Sequence, residues 1–238
     1  MEEKTFYEHL DELRKRIIKS LIAILLGSIL AYLLKNQLFN LLIKPYGKDL
    51  VFLSVTEAFA NIIKLSFIAG IILSFPYIIY QLWEFIASLF EKQKRKIILT
   101  YMIVSLLLFY GAIIFCYFVI LPTAINFLVN FGGLPLVPAI TFNNYLNFSL
   151  LMLLSFGVIF QFPLILAALI KLKLVSIKTL SKKRPYVIVL IFVIASIVTP
   201  TPDAFTMILL ALPMILLFEI TLLIARLTRT VDEHFKSF

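Results

Sequence analysis

Lys182-Lys183-Arg184-Pro185-Tyr186 opens a stretch that stays apolar through Val198 and stops at Thr199-Pro200-Thr201-Pro202-Asp203. The basic block marks one side of a membrane, and the proline-rich turn cannot continue a helix. From Ala204 a second apolar run returns toward Arg226. Basic end, apolar run, turn without Lys or Arg, apolar run, basic end: the same order repeats toward the N-terminus. The runs fall at about 17–35, 59–83, 97–121, 145–170, 186–198 and 204–225. Of the 22 Lys and Arg, the first, third and fifth connecting loops hold only Lys35, Lys44 and Lys48. The positive-inside bias therefore predicts six transmembrane helices, with both termini on the cytoplasmic side or its stromal or matrix equivalent.

Composition points the same way. The chain has 238 residues, 62% of them hydrophobic, with a mean hydropathy of +1.04. A soluble domain of that size could not hide so much apolar surface, so lipid is the expected solvent. In hydrocarbon only helices and closed barrels satisfy the backbone, and the period-2 alternation of barrel strands is absent. The expected fold is an all-α integral membrane protein, one six-helix domain over residues 1–238. The formal net charge of +9 does not indicate nucleic acid, because the basic residues flank the runs as topology anchors and attract anionic lipid. Cys116 is the only cysteine and His9 and His234 stand at opposite ends. No HExxH, GxSxG or GxxxxGK occurs. Neither a metal, a cofactor nor an enzyme is expected. The run from Ile17 leads to Lys35 without a small-residue cleavage site, so the first helix is expected to be retained.

Finer features follow from spacing. Phe6, Leu10, Leu13 and Ile17 form one helical stripe, so residues 5–17 are expected to lie on the inner surface before turning into the first span. The outside loops 36–58 and 122–144 carry Pro45, Pro122, Pro135 and Pro138, read as turns of a cap. Tyr186–Val198 spans about 20 Å at 1.5 Å per residue, against about 30 Å of hydrocarbon. If Glu219 marks the inner boundary, Ala204–Phe218 is about as short, and the hairpin would thin the bilayer. Glu219 needs a cationic or hydrogen-bonding partner, with Arg226 two turns away. Lys64 lies inside the second run, where a charge costs about 2.5–3.5 kcal/mol at mid-span. It is expected to snorkel to the outer interface or to pair with Glu57 or Asp49. Gln161, before Pro163, and Asn147 are polar positions of the fourth run.

An ordered set of strings resembles one family. His9-Leu10-Asp11-Glu12-Leu13-Arg14-Lys15-Arg16 is similar to an HLxELRxR lead-in, and Pro45 follows in the first outside loop. Thr56-Glu57-Ala58-Phe59 with Lys64 resembles TEPF…K, and Tyr80-Gln81-Leu82-Trp83-Glu84-Phe85-Ile86 resembles YQxWxFI. Phe156–Pro163 is similar to FGxxFExP. Arg184-Pro185-Tyr186, Thr199–Asp203, Ala211-Leu212-Pro213 and Phe218-Glu219-Ile220 cover the last third. The family is TatC, the multispanning core of the twin-arginine (Sec-independent) protein translocase. The chain departs from the family pattern at Gln93 and Gln161, where a Glu is usual, and at Met207, where a Gln is usual.

The resemblance implies a receptor for the paired arginines of a signal peptide on folded cargo. It implies recruitment of TatA-type and TatB-type single-span partners and transport driven by the proton-motive force. Residence would be in the bacterial inner (plasma) membrane or an equivalent organellar one, with a homo-oligomer among the implied partners. Glu12 and Arg14 are the implied signal-binding positions, with Gln93, and with Glu91 or Glu84 supplying a second carboxylate. Gln161, Asp203, Met207 and Glu219 would form the intramembrane partner face, Met207 through packing. Pro45, Phe59 and Lys64 are further matched positions near the outer side. The alternative reading is a small-solute secondary transporter or channel, supported by the intramembrane Lys64 and Glu219 and opposed by the absence of internal repeats.

Overall fold

The structure, a computed structural model, describes residues 6–47, 50–51, 53–88, 95–131, 140–171, 175–199, 201 and 203–235. The elements in order are α1 (Phe6–Leu33), α2 (Lys35–Ile43), α3 (Val55–Ser88), α4 (Arg95–Phe115), a π-helical turn (Cys116–Ile120) and α5 (Leu121–Asn130). Then come α6 (Phe142–Ile159), α7 (Phe162–Lys171), α8 (Ile177–Lys182), α9 (Arg184–Val198) and α10 (Ala204–Phe235). Among the described residues the sole β-type pairing is one isolated parallel bridge, Val51 to Thr141. Among the described residues five stretches are long and apolar enough to cross a membrane: Leu10–Leu33, Thr56–Ile86, Leu99–Asn130, Phe142–Ile170 and Ala204–Arg226. The apolar α9 is shorter.

Several elements differ from expectation for identifiable reasons. No turn separates the amphipathic lead-in from the first apolar run, because neither Gly nor Pro interrupts the chain between Phe6 and Leu26. The third run continues helically to Asn130, so the loop expected from residue 122 begins at Phe131. Pro122 is the second residue of α5 and has no N–H to give to the π-helical turn before it. The ladder behind it widens instead, with Leu121 N–H donating to Cys116 O. The fourth run is split at Phe160–Gln161, because Pro163 offers no N–H to the turn before it. Tightened bonds cover the break: Gln161 N–H donates to Val158 O at 3.0 Å, and Leu164 N–H to Gln161 O at 3.0 Å.

The chain divides into two compact units, Met1–Leu107 with Val137–Leu150, and Leu108–Leu136 with Leu151–Phe238, where one domain is expected from the sequence. In the first unit α1 and α3 lie antiparallel. Their contacts step from Arg16–Gln81 through Ala23–Ser74 to Gly27–Gly70. The backbones come close because the facing residues are small: a Cβ on Gly70 would sit 2.6 Å from Ser28 Cα. Ser74 Oγ donates to Ala23 O at 2.6 Å across this seam. Lipid suits the other faces, since Leu21, Leu25, Leu26 and Leu30 of α1 are all more than half exposed.

The loop segments of the first unit also meet. Tyr145 Oη donates to Leu42 O at 2.6 Å, and Phe39 packs on Phe142 with centroids 5.0 Å apart. Phe142 N–H donates to Val51 O at 3.0 Å. In the second unit the core is built from Phe109, Met152, Phe156, Ile191, Leu210 and Phe218, each under 5% exposed. Ile191 and Ala195 of α9 are buried, as are Ala211, Met214 and Phe218 of α10.

Candidate functional site

Near the start of α1, Glu12 falls one turn before Arg16, and the two side chains meet. Glu12 Oε1 accepts from Arg16 Nη2 at 2.6 Å and from Arg16 Nε at 3.1 Å. Arg16 Nη1 reaches across to α3 and donates to Gln81 Oε1 at 3.2 Å. Gln81 is buried, whereas the Glu12 and Arg16 side chains remain 19% and 18% exposed. The result is a carboxylate and a guanidinium held at one end of the α1–α3 seam, partly shielded from solvent yet reachable. A charge-assisted pair of this kind exchanges most readily with another guanidinium, which carries the same donor fork. Arg14 is exposed on the same helix, and Glu84 is half-buried directly after the segment Gln81 to Trp83, whose Gln81 and Trp83 are buried. Trp83 anchors that segment: its Nε1 donates to Ser105 Oγ at 3.3 Å and its ring lies 4.9 Å from Tyr101. Glu91 and Gln93 lie outside the described residues.

At the loop end of the first unit, Lys64 finds amide oxygens and not the expected Glu57. Its Nζ donates to Asn143 Oδ1 at 3.3 Å and to Asn147 Oδ1 at 3.2 Å. Glu57 is engaged with backbone instead, accepting from Asn143 N–H at 3.0 Å and from Leu53 N–H at 3.1 Å. That arrangement leaves the carboxylate stapling the starts of α3 and α6 together. Asp49, the other expected partner, lies outside the described residues. Pro45 follows α2 in a turn, and Phe59 is 67% exposed one turn before Lys64.

In the second unit Gln161 sits at the break between α6 and α7. The residue is buried, 8% exposed. At the tip of the α9–α10 turn, Asp203 caps α10. Its Oδ1 accepts from Thr206 N–H at 2.7 Å and its Oδ2 from Thr206 Oγ1 at 2.7 Å. Partial burial pushes the Asp203 carboxyl up, but hydrogen bonds from Thr201, Thr206 and Phe205 outweigh it and hold the group below the ordinary carboxylate range. Met207 follows, half-buried, its N–H donating to Asp203 O. At the far end of the hairpin Glu219 pairs with Arg184, Oε2 to Nη2 at 3.0 Å. Arg226, the partner expected from spacing, donates to Ser181 Oγ at 2.7 Å instead.

The partners that sequence reasoning missed had a readable signal in one case. Counting back from the turn, Arg184 is 14 residues before Val198 and Glu219 is 15 after Ala204, so an antiparallel hairpin places them level. Asn143 offered no comparable signal, because its approach to Lys64 depends on how two loops dock. Among the described residues no group of His, Cys, Asp and Glu is arranged to hold a metal ion.

A family model described as Sec-independent protein translocase protein (TatC) matches residues 8–213. A protein of that name from Carboxydothermus hydrogenoformans is 40% identical over 231 residues, covering 95% of each chain. The Escherichia coli K12 protein of that name is 38% identical, covering 92% of this chain and 86% of its own. The crystal structure of the twin-arginine translocase receptor TatC in DDM superposes with a TM-score of 0.84 at 37% identity, covering 92% of this chain and 99% of that one.

Proposed function

Because the chain belongs to the TatC family, and so is a multi-pass membrane subunit of the Sec-independent protein translocase and not an enzyme, we propose that it is the receptor for the paired arginines of folded cargo. The observation that carries this reading is the Glu12–Arg16–Gln81 cluster. An incoming guanidinium takes the place of Arg16 on the Glu12 carboxylate, and Arg16 keeps its bond to Gln81. The Glu12 carboxylate stays paired throughout, Arg16 gives up its counter-charge and keeps a neutral acceptor, and the fork geometry favours Arg over Lys in the ligand. Glu91 or Glu84 supplies a second carboxylate for the other arginine, and Arg14 and Gln93 are the further signal-binding positions of this reading.

In this reading both termini and the cluster face the cytoplasm, as the Lys and Arg distribution supports. Six helices span the inner membrane, or an equivalent organellar membrane, with α9 as the short fifth. Pro45, Phe59 and Lys64 then belong to the outer side, where the docked loops form a cap. Gln161, Asp203, Met207 and Glu219 belong to the face that meets TatA-type and TatB-type single-span partners, with the proton-motive force driving transport. The solute-transporter alternative loses its main support: Lys64 is held by two amide oxygens and Glu219 by Arg184, so neither is a charge waiting for an ion.

The test is binding of a fluorescent signal peptide to the purified protein in nanodiscs, Arg-Arg against Lys-Lys. The expected outcome is tighter Arg-Arg binding, reduced about thirtyfold or more by Glu12→Gln, from the lower end of the 2–5 kcal/mol that truncating a charge partner costs. Equal, salt-sensitive binding of both peptides would refute the receptor reading.

A further inference from the structure

The basic end of the α9–α10 hairpin frames a half-open cavity of about 260 Å³ lined by Arg184, Leu216, Glu219, Ile220, Leu223 and Arg226. Two guanidiniums face one carboxylate there, so the lining carries an excess positive charge. Glu219 is bonded to Arg184 Nη2, while Arg184 Nε is buried and has no hydrogen-bond partner among the described residues. Lys182 and Lys183 are exposed immediately before Arg184 and add to the positive field. The apolar part of the lining is as telling as the charges. Leu216, Ile220 and Leu223 are 59%, 45% and 60% exposed, and they fall at i, i+4 and i+7 on α10. A stripe of large apolar side chains thus runs from the arginines along the face that a membrane must cover.

We propose that this cavity is a binding site for the headgroup of an anionic phospholipid, with the acyl chains lying along Leu216, Ile220 and Leu223. The phosphodiester accepts from Arg226 beside the Arg184–Glu219 pair, a contact to which guanidinium groups are suited. Basic pockets between helices at the cytoplasmic membrane boundary are the form such sites take. The two arginines against one glutamate favour an anionic headgroup in the cavity itself, since an apolar partner helix offers them no counter-charge. Glu219 tempers the site: it occupies Arg184 and limits how much negative charge the cavity accepts.

The site rests on the proposed topology only in placing this lipid in the cytoplasmic leaflet. Its test involves neither cargo nor signal peptide, so it fails or succeeds independently of the receptor reading. The full chain in detergent is titrated with phosphatidylglycerol or phosphatidylcholine and the bound lipid is read by native mass spectrometry. Phosphatidylglycerol is expected to be retained over phosphatidylcholine, and Arg226→Gln to cut that preference about fivefold, the effect of one basic residue near an anionic lipid. Arg226→Lys should keep most of the preference and Glu219→Gln should raise it. Lys35→Gln, at the start of α2 and outside the cavity lining, should leave it unchanged. Equal retention of the two lipids, or an unchanged preference in Arg226→Gln, overturns the proposal. Displacement of phosphatidylglycerol by equimolar inorganic phosphate also overturns it, because the occupant would then be a free anion.

Discussion

The α1–α3 seam and the α9–α10 hairpin are two antiparallel helix pairs that solve the same problem in opposite ways. Along the seam, Gly27, Ser28, Gly70 and Ser74 let the two backbones approach until one serine donates directly to the other helix's carbonyl. In the hairpin the polar contacts sit at the ends, an aspartate cap at the turn and an ion pair at the basic end, with Ile191, Ala195, Ala211 and Met214 buried between. Lipid offers little hydrophobic drive for helices to associate, so van der Waals contact or polar bonds must do it. The seam relies on backbone proximity, which tolerates no added atom. The hairpin relies on covalent connection and terminal groups, which can be altered singly. The two pairs therefore should differ sharply in their response to small substitutions.

The largest expected effect is on the seam. In Gly70→Ala the new methyl would lie 2.5 Å from Ser28 N and 2.6 Å from Ser28 Cα, backbone atoms that cannot rotate away. The helices must separate, at a cost of about 3 kcal/mol, the upper part of the range for overpacking. Gly111→Ala is the matched control, because nothing lies within 4 Å of its Cβ position. It should be neutral or stabilising by a few tenths of a kcal/mol, as removing a helical glycine usually is. Thermal unfolding in detergent, followed by circular dichroism, reads both. Similar losses in the two variants would show that close approach at Gly70 is not what holds α1 to α3.

A smaller effect is expected at the hairpin turn. Asp203→Ala removes the cap of α10 and should cost about 1 kcal/mol at neutral pH, whereas Asp203→Asn keeps an acceptor and should cost little. The two variants separate capping from charge. The folded-state carboxyl is held below its ordinary value near 3.8 by its hydrogen bonds. Its ionisation therefore contributes stability above that value, and the contribution is lost as pH falls through the lower folded-state pKa. The wild type should lose this increment below about pH 4, and Asp203→Asn should lack that part of the acid limb. Superimposable pH profiles for the two would mean that the cap acts without its charge.

How much of this was legible beforehand depends on whether the signal was local. The helices and their order were, because apolar runs, basic blocks and prolines act on neighbouring residues. The position of Glu219 opposite Arg184 was also legible, since a tight turn fixes the register of both helices by counting. The continuous helix through Pro122 was not, because proline at a first turn and proline at a breaker look alike in sequence. Nor was the choice of Lys64 for Asn143 and Asn147: they sit at the start of α6, whose docking near α3 involves the Val51–Thr141 bridge and the Tyr145–Leu42 bond. The seam glycines were visible as letters, yet nothing local says that Gly27 and Gly70 face each other. Gln81 had a family string around it but no sequence mark tying it to Arg16, 65 positions away.

The smallest expected effect is the one that tests whether the hairpin's basic end clamps its helices or only decorates them. Arg184 and Glu219 are 37% and 40% exposed, so water screens their attraction well below what the 3.0 Å contact would give in hydrocarbon. A double-mutant cycle of Arg184→Gln and Glu219→Gln should return a coupling of about 0.5 kcal/mol, and raising salt should shrink it. The Gly70→Ala cost on the seam, being steric, should not change with salt at all. A coupling of several kcal/mol that ignores ionic strength would place the pair in a dry environment. The hairpin would then be clamped at its end as firmly as the seam is along its length, and the contrast between the two helix pairs would disappear.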